Sequence, residues 1–496
     1  MATYREKRGT NTVPIVSGEP TGGVNGEIVY ITGEGLASYN DGTWAKLTAT
    51  APAETFGGTF LARDNGLTRT YFAQLGRAAA IGGGNIIAGE HNWSDGSGSN
   101  NINYGAGYGR AHIFNASNGT FVRTLGQGML YPGGSYTYGG STYYHGTLFG
   151  TSVAITPDGT NCFVGETGWR ASAVASSTAG AVGRVRQYTV SSGAHVRDYN
   201  APTDTDVGGH YPDGDWGYYE GICCSNSQVL ISRENFQINA SKRYGGKVYC
   251  YNISDGSLAW SVENPNAVSS EEDNDYFGEA IAADPSGNYF AVTARGEDTT
   301  YSGYEHAGHL YILNASDGSV AQSIANPNRG SQGHTPYFGA KGAVDISETH
   351  VIVGAFYYGA NRSGRAFLFK ISDGSLVREI ASPATTSYFE FGRYTGITKN
   401  FYAIAAPGAS PASGDMQGKI YVYNLSDGSL AHTLTCVDDH SSSSGQELGY
   451  SAMSMGANGL AVSIVSGSRL QGTTCLLYTS DAADERSSVD LGGRRI

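Results

Sequence analysis

The sequence predicts an all-β fold: a β-propeller of about seven four-stranded antiparallel blades, the last one truncated, preceded by a small β-meander. Three observations predict it. A Ser-Asp-Gly tripeptide recurs along the chain, a Phe-Gly pair alternates with it, and the composition is rich in glycine and tyrosine. The 496 residues include 72 glycines and 34 tyrosines, while charged residues make up only 15%. Glycine-punctuated turns between strand-favouring aromatics suit short strands, and no window sustains a helical period.

The first element is the meander. Gly26-Glu27-Ile28-Val29-Tyr30-Ile31, Leu36-Ala37-Ser38-Tyr39 and Thr43-Trp44-Ala45-Lys46-Leu47 read as three strands, the last two joined by an Asp41-Gly42 hairpin. Residues 1–50 form this module, residues 51–474 the propeller, and residues 475–496 a tail foreign to both.

The propeller units are set by the two markers. The turn marker runs Ser117-Asn118-Gly119, Ser191-Ser192-Gly193, Ser254-Asp255-Gly256, Ser316-Asp317-Gly318, Ser372-Asp373-Gly374 and Ser426-Asp427-Gly428. The opening marker runs Phe149-Gly150, Trp216-Gly217, Phe277-Gly278, Phe338-Gly339, Phe391-Gly392 and Leu448-Gly449, with Tyr71-Phe72-Ala73 as the first in chain order.

The fifth unit shows what lies between them. After Phe338-Gly339 come a short strand at Ala343-Val344-Asp345-Ile346 and an apolar run at His350–Ala355, suited to a strand buried on both faces. Arg365–Ile371 is an aromatic-rich third strand. Asp373-Gly374 reverses the chain at the φ > 0 positions of a hairpin, and Leu376–Ile380 returns as a more polar edge. One such sheet cannot bury both faces. Radial stacking of the units, each of roughly 55–75 residues, buries each sheet against its neighbours.

The seventh unit begins at Leu448-Gly449 and Gly459–Val465 and is expected to stop before its third strand. The next segment, Cys475-Leu476-Leu477-Tyr478-Thr479-Ser480-Asp481-Ala482-Ala483-Asp484-Glu485, resembles the in-frame translation of a common transposase-type sequencing adapter. Val489-Asp490-Leu491-Gly492-Gly493-Arg494-Arg495-Ile496 is similar to the adapter stretch beyond it. Closure of the ring then draws on a strand from residues 56–69 or on sequence beyond the chain.

The chemistry-bearing motifs are few. The sequence holds no Gly-x-Ser-x-Gly elbow and no Gly-x-x-x-x-Gly-Lys-Ser/Thr loop, and no catalytic residue, cofactor site or metal site is expected. Gly105-x-Gly107-x-Gly109 lacks the following helix that a dinucleotide site needs. His306-x-x-His309 leads into a strand at Leu310–Leu313 and reads as two ordinary polar histidines. The acidic stretches at residues 204–215 and 271–275 precede opening markers and read as solvated loops. Cys162, Cys223, Cys224, Cys250, Cys436 and Cys475 fit neither a zinc site nor a disulfide scaffold and read as packed thiols. The Asn-x-Ser sequons at Asn115, Asn252, Asn314 and Asn424 belong to the turn repeat. A net charge of −13 argues against nucleic acid. No apolar run is long enough to span a bilayer, and no secretion signal is read at Met1.

Two patches point to recognition. Tyr131, Tyr136, Tyr138, Tyr143 and Tyr144 lie among glycines and serines before Phe149, and Trp216, Tyr218 and Tyr219 come after the next long loop. Tyr with Gly and Ser gives adaptable binding loops with a large contact area at low entropic cost, and sugar rings stack on such aromatics.

The paired markers resemble the FG-GAP repeat of integrin-α-type propellers, with Gly354-Ala355-Phe356 and Ala405-Ala406-Pro407-Gly408 in place of the Gly-Ala-Pro turn. Members of that family often carry calcium loops with alternating carboxylates. Thr156-Pro157-Asp158-Gly159 and Asp284-Pro285-Ser286-Gly287 lack them, so calcium is not carried over. The opening Met1-Ala2-Thr3-Tyr4-Arg5-Glu6, with the Gly26-Glu27 to Gly42-Thr43-Trp44 meander, resembles the N-terminal module of structural proteins of marine tailed phages. That resemblance implies a virion structural or host-recognition protein, a tail-fibre or appendage subunit made in the host cytoplasm. Its partners would be other virion proteins and a host surface receptor or glycan. A bacterial cell-surface adhesion propeller is the alternative. The Tyr251–Trp260 unit also resembles quinoprotein repeats, but only Trp260 fills the blade-docking tryptophan position.

Overall fold

The structure is a computed structural model. It describes residues 75–93, 108–127, 147–169, 183–202, 217, 221–238, 244–266, 275–297, 307–328, 336–359, 361–409, 418–435, 446–456 and 459–466, together with the strand backbones at 15–16, 27–31, 35–40, 43–46, 55–62, 130–138, 141–146 and 473–480. The chain divides into two compact units, Met1–Thr55 with Ser480–Ile496, and Phe56–Thr479.

In the first unit, Glu27–Ile31, Gly35–Asn40 and Thr43–Lys46 pair antiparallel in sequence, and Ile15–Val16 adds a short parallel strand at the edge.

The second unit is a β-propeller with six complete blades, not seven, each made of four strands consecutive in the chain. Its blades begin at Ala79–Gly82, Phe149–Ile155, Ile222–Cys224, Phe277–Ala283, Val344–Ile346 and Thr395–Ile397, and each first strand neighbours the first strand of the next blade. The last blade is partial as a unit of the repeat, because its sheet is not made of four strands consecutive in the chain. Gln446–Gly456 and Gly459–Ser466 form its inner pair and lie between the sixth blade and the first. Its third strand, expected to be missing, is Thr473–Ser480, paired with Gly459–Ile464. The free edge of an apolar strand accepts the β-compatible run Cys475-Leu476-Leu477-Tyr478 because that run satisfies its backbone groups. Thr55–Ala62, from before the first blade, stands last in this sheet's order and overlaps residues 56–69, one of the two sources from which closure was expected to draw.

The second strand of each blade is the buried spine, as its apolar run predicts. In the fifth blade, His350–Ala355 is buried from Val351 onward, whereas the outer strand Leu376–Ala381 is mostly exposed. The cores lie between blades. Phe149 is fully buried and packs with Ile87 and Ile113 of the first blade and with Val153 and Val164 of the second. Phe277, Phe338 and Phe391 are likewise fully buried. Burial of one such ring contributes about 1.5–3 kcal/mol, which explains why the opening marker recurs.

The Ser-Asp-Gly turn differs in one respect from the expectation. Only its glycine is left-handed, with φ of 76° at Gly256 and 75° at Gly318, and each hairpin carries a bulge such as that between Cys250 and Tyr251. The aspartate instead caps the turn: Asp255 Oδ1 accepts from Ser257 N at 2.9 Å and Ser257 Oγ at 2.7 Å. Asn252 Nδ2 donates to Ser257 Oγ at 3.0 Å, so this sequon residue braces the turn. Trp260 docks on the neighbouring blade, its Nε1 donating to Ala315 O at 2.8 Å. Cys162, Cys224 and Cys250 are buried free thiols, and burial pushes Cys162 and Cys250 up to about 12.

Candidate functional site

Strand alternation gives the propeller two unlike ends. The turns between first and second strands, and the Ser-Asp-Gly turns between third and outer strands, share one end. The links between second and third strands, and those from blade to blade, share the other. The turn end is closed by short, capped reversals. Asp158 Oδ1 accepts from Thr156 Oγ1 at 2.6 Å and Thr160 N at 2.9 Å, and Asp284 caps Ser286 N at 3.0 Å. These carboxylates serve the backbone. The long segments, including residues 94–107, 170–182, 203–216 and 298–306, all connect at the other end.

In each of the six complete blades the third strand opens at that end with a basic residue, a signal that escapes sequence reading because its partner lies across a long loop. Arg110, Arg184, Lys247 and Arg365 stand 4.6, 4.8, 4.8 and 4.3 Å from the ring centroids of Trp93, Trp169, Phe236 and Tyr358. A cation over a desolvated ring contributes about 1–2 kcal/mol. Carboxylates complete the arrangement at all four: Lys247 Nζ is 3.2 Å from Glu263 Oε1 and Arg365 pairs with Glu379, while the first two blades bury their pairs more deeply. Arg110 pairs with Glu90, which also lies 3.0 Å from His112 Nε2. Burial opposes ionisation of Glu90, but the hydrogen bonds from His112 and Arg110 outweigh it and hold the carboxyl below its ordinary range. Arg184 Nη2 is 2.5 Å from the fully buried Glu166, and Nη1 is 3.1 Å from Asp198.

The fourth blade breaks this pattern. Glu297 replaces the aromatic ring and accepts from Tyr311 Oη at 2.8 Å and Asn266 Nδ2 at 2.9 Å, with His309 Nδ1 3.3 Å away. Burial pushes its carboxyl up to about 7, with nearby Asp275 adding to the rise. Asp275 was expected in a solvated loop; it is buried and accepts from Asn264 Nδ2 at 2.9 Å. His309 opens the strand His309–Asn314, and Gly109 packs against the next blade.

A second feature of the same end is an interleaved series of rings and guanidiniums across successive blade junctions. Tyr244 stacks on Tyr276 at 5.7 Å. Arg295 lies 5.0 Å from Tyr276 and 4.8 Å from Tyr337. Arg393 lies 4.4 Å from Phe356 and 4.9 Å from Tyr450, and Arg362 lies 4.8 Å from Tyr357 and 5.1 Å from Tyr388. Tyr276 and Tyr337 precede the Phe-Gly marker with φ of 54° and 55°. Leu148 and Glu390 hold the same conformation at the same place, so it belongs to the repeat.

The tyrosines singled out from sequence lie at this end too, in the connection between the first and second blades. Leu130–Tyr138 and Ser141–Gly146 pair antiparallel, with Tyr136 opposite Tyr143 and Ser135 opposite Tyr144. The side chains of Tyr131, Tyr136, Tyr138, Tyr143 and Tyr144 lie outside the described residues, as do Tyr71, Phe72, Trp216, Tyr218, Tyr219, His306 and the acidic residues 204–215 and 271–274. Among the described residues, no group of three or more His, Cys, Asp or Glu is placed to hold a metal ion, and no helix is long and apolar enough to cross a membrane.

No protein family and no curated protein matches the chain. Among solved structures, it is similar to the β-propeller domain of Cps50 (Swd1) from Myceliophteria thermophila, with a TM-score of 0.45 and 10% identity over 84% of this chain and 99% of that one. Its own strand order, of consecutive four-stranded antiparallel sheets whose first strands succeed one another around a ring, identifies the chain as an all-β propeller.

Proposed function

We propose that the propeller is a non-catalytic binding scaffold whose connection end meets a host surface receptor or glycan, and that the chain is a virion structural or appendage protein. One observation carries the binding role: the long connections share one end, with both Tyr-rich segments in successive blade-to-blade links, while the other end is closed by capped turns. Binding residues concentrate on loops held by a rigid scaffold. The virion assignment is supported by the resemblance of the opening residues and meander to phage structural modules. Binding uses the Tyr-rich strands around Tyr136 and Tyr143 together with Trp216, Tyr218 and Tyr219, and needs no cofactor.

Mass spectrometry of virus-sized particles and of cell envelopes from one source, scoring tryptic peptides of this chain, tests the virion assignment. Co-enrichment with capsid peptides is expected. Enrichment with envelopes instead would replace it with a cell-surface adhesion role.

A further inference from the structure

Tyr244, Tyr388 and Tyr450 are exposed to 40%, 50% and 39%, yet each has one ring face held from behind, by Tyr276, Arg362 and Arg393 respectively. Tyrosines that merely cover a surface have no need of such backing. Rings fixed in this way lose little freedom when a ligand lands on them. Their backbones are fixed as well. Tyr244 and Tyr388 adopt φ of 50° and 60°, a region that bulky residues rarely occupy. Tyr388 N donates to Asn361 O at 2.8 Å, and its carbonyl oxygen lies where only a glycine, Gly408, can pass. Tyr244 O accepts from Tyr276 N at 2.8 Å across the junction of the third and fourth blades. Three strained or backed tyrosines thus mark three blade junctions on one arc of the connection end.

We propose that this arc is a carbohydrate-binding site, with Tyr244, Tyr388 and Tyr450 as stacking platforms for sugar rings of an oligosaccharide. The inference rests on the reading of this end as the binding end. The charge pattern selects the ligand class. Arg295 is paired with Glu279 at 2.6 Å, and Glu390 lies between the fields of Arg393 and Arg362, so the cations near the rings are largely balanced. A nucleic-acid strand would also stack on tyrosines, but it needs a net cationic track to displace its counterions, and this chain carries −13. A sugar ring presents an apolar C–H face to the tyrosine and hydroxyls to the guanidinium and carboxylate groups beside it.

The test applies the full chain to an array of neutral and uronic-acid oligosaccharides, with a single-stranded oligonucleotide as competitor. Glycan binding is expected, weakened roughly tenfold or more in the triple variant Tyr244→Ala, Tyr388→Ala, Tyr450→Ala and retained with tryptophan at the same three positions. An unchanged Tm confirms that the alanine variant is folded. No glycan bound, full affinity in the triple alanine variant, or preference for the oligonucleotide overturns the proposal. Loss of glycan binding only in Tyr136→Ala, Tyr143→Ala overturns this site while leaving the connection end as the binding end.

Discussion

The backbone of Gly109 pairs with that of Phe149 across the first blade junction, so close that a Cβ on Gly109 would overlap the Phe149 carbonyl oxygen. The same approach joins Gly246 to Phe277, Gly308 to Phe338, Gly364 to Phe391 and Gly418 to Leu448, with every one of these glycines at positive φ. The phenylalanine ring fills the core between two blades while its backbone sits on the glycine of the blade before. The spacing of the ring is therefore set by glycine and phenylalanine together.

Gly246→Ala is expected to cost about 2–5 kcal/mol, combining backbone overlap with a left-handed φ. Gly84, at φ 75° with open space around its Cβ position, is the control, and Gly84→Ala should cost only about 1–2 kcal/mol. Denaturant unfolding of both variants measures the difference. Equal costs would show that close approach at the junction does not matter.

Removing Arg184 leaves the fully buried Glu166 without its charge partner. Arg184→Met alone is expected to destabilise by about 3–5 kcal/mol, and adding Glu166→Gln should recover a large part of that loss. Additive costs in the double-mutant cycle would contradict the pairing.

Glu297 makes stability depend on pH in a stated direction. Its carboxyl is raised from 4.5 to about 7 in the folded chain, chiefly by burial. Below pH 4.5 it is protonated in both states. As pH rises through the folded value, the unfolded chain has already released its proton, and stability falls by about 3 kcal/mol in all. Asp275, His309 and Tyr311 face the same carboxyl. Glu297→Gln should flatten this decline in urea unfolding between about pH 5 and about pH 8. An unchanged pH profile would place the titration elsewhere.

Trp260 bridges the third and fourth blades through Ala315 O and packs over Gly318. Trp260→Phe keeps most of the ring but strands the carbonyl, and should cost about 1–3 kcal/mol. Thermal unfolding measures this, and a neutral substitution would mean that the bond contributes nothing.

Much of the fold was legible because each marker answers a local physical demand. Gly256 must be left-handed, Asp255 must cap, and Phe277 must fill a junction, so the sequence repeats them. Within the fifth unit all four strands fall where the apolar runs placed them. The make-up of the last sheet was only half legible: a closing strand from residues 56–69 was one of two expected sources, whereas the third strand Thr473–Ser480 lacks the marker that ends the other units. The pairing of Arg110 with Trp93, or of Arg365 with Tyr358, was invisible for a similar reason: the ring lies just beyond the second strand and the basic residue opens the third, with a loop without pattern between them. Tyr388 and Tyr450 gave no signal, since single tyrosines gain meaning only when the blades bring Arg362 and Arg393 behind them.

Hydroxyl-radical footprinting tests the binding role of the connection end most directly, because tyrosine is itself a strong reporter of exposure. The full chain is footprinted alone and with envelope material from the cells among which it is found. The account predicts protection of the Tyr131–Tyr144 and Trp216–Tyr219 segments and of Tyr244, Tyr388 and Tyr450, with Leu258, Val320 and Leu430 beside the Ser-Asp-Gly turns unchanged. Protection at those turn-end residues, or none at the connection end, would contradict it.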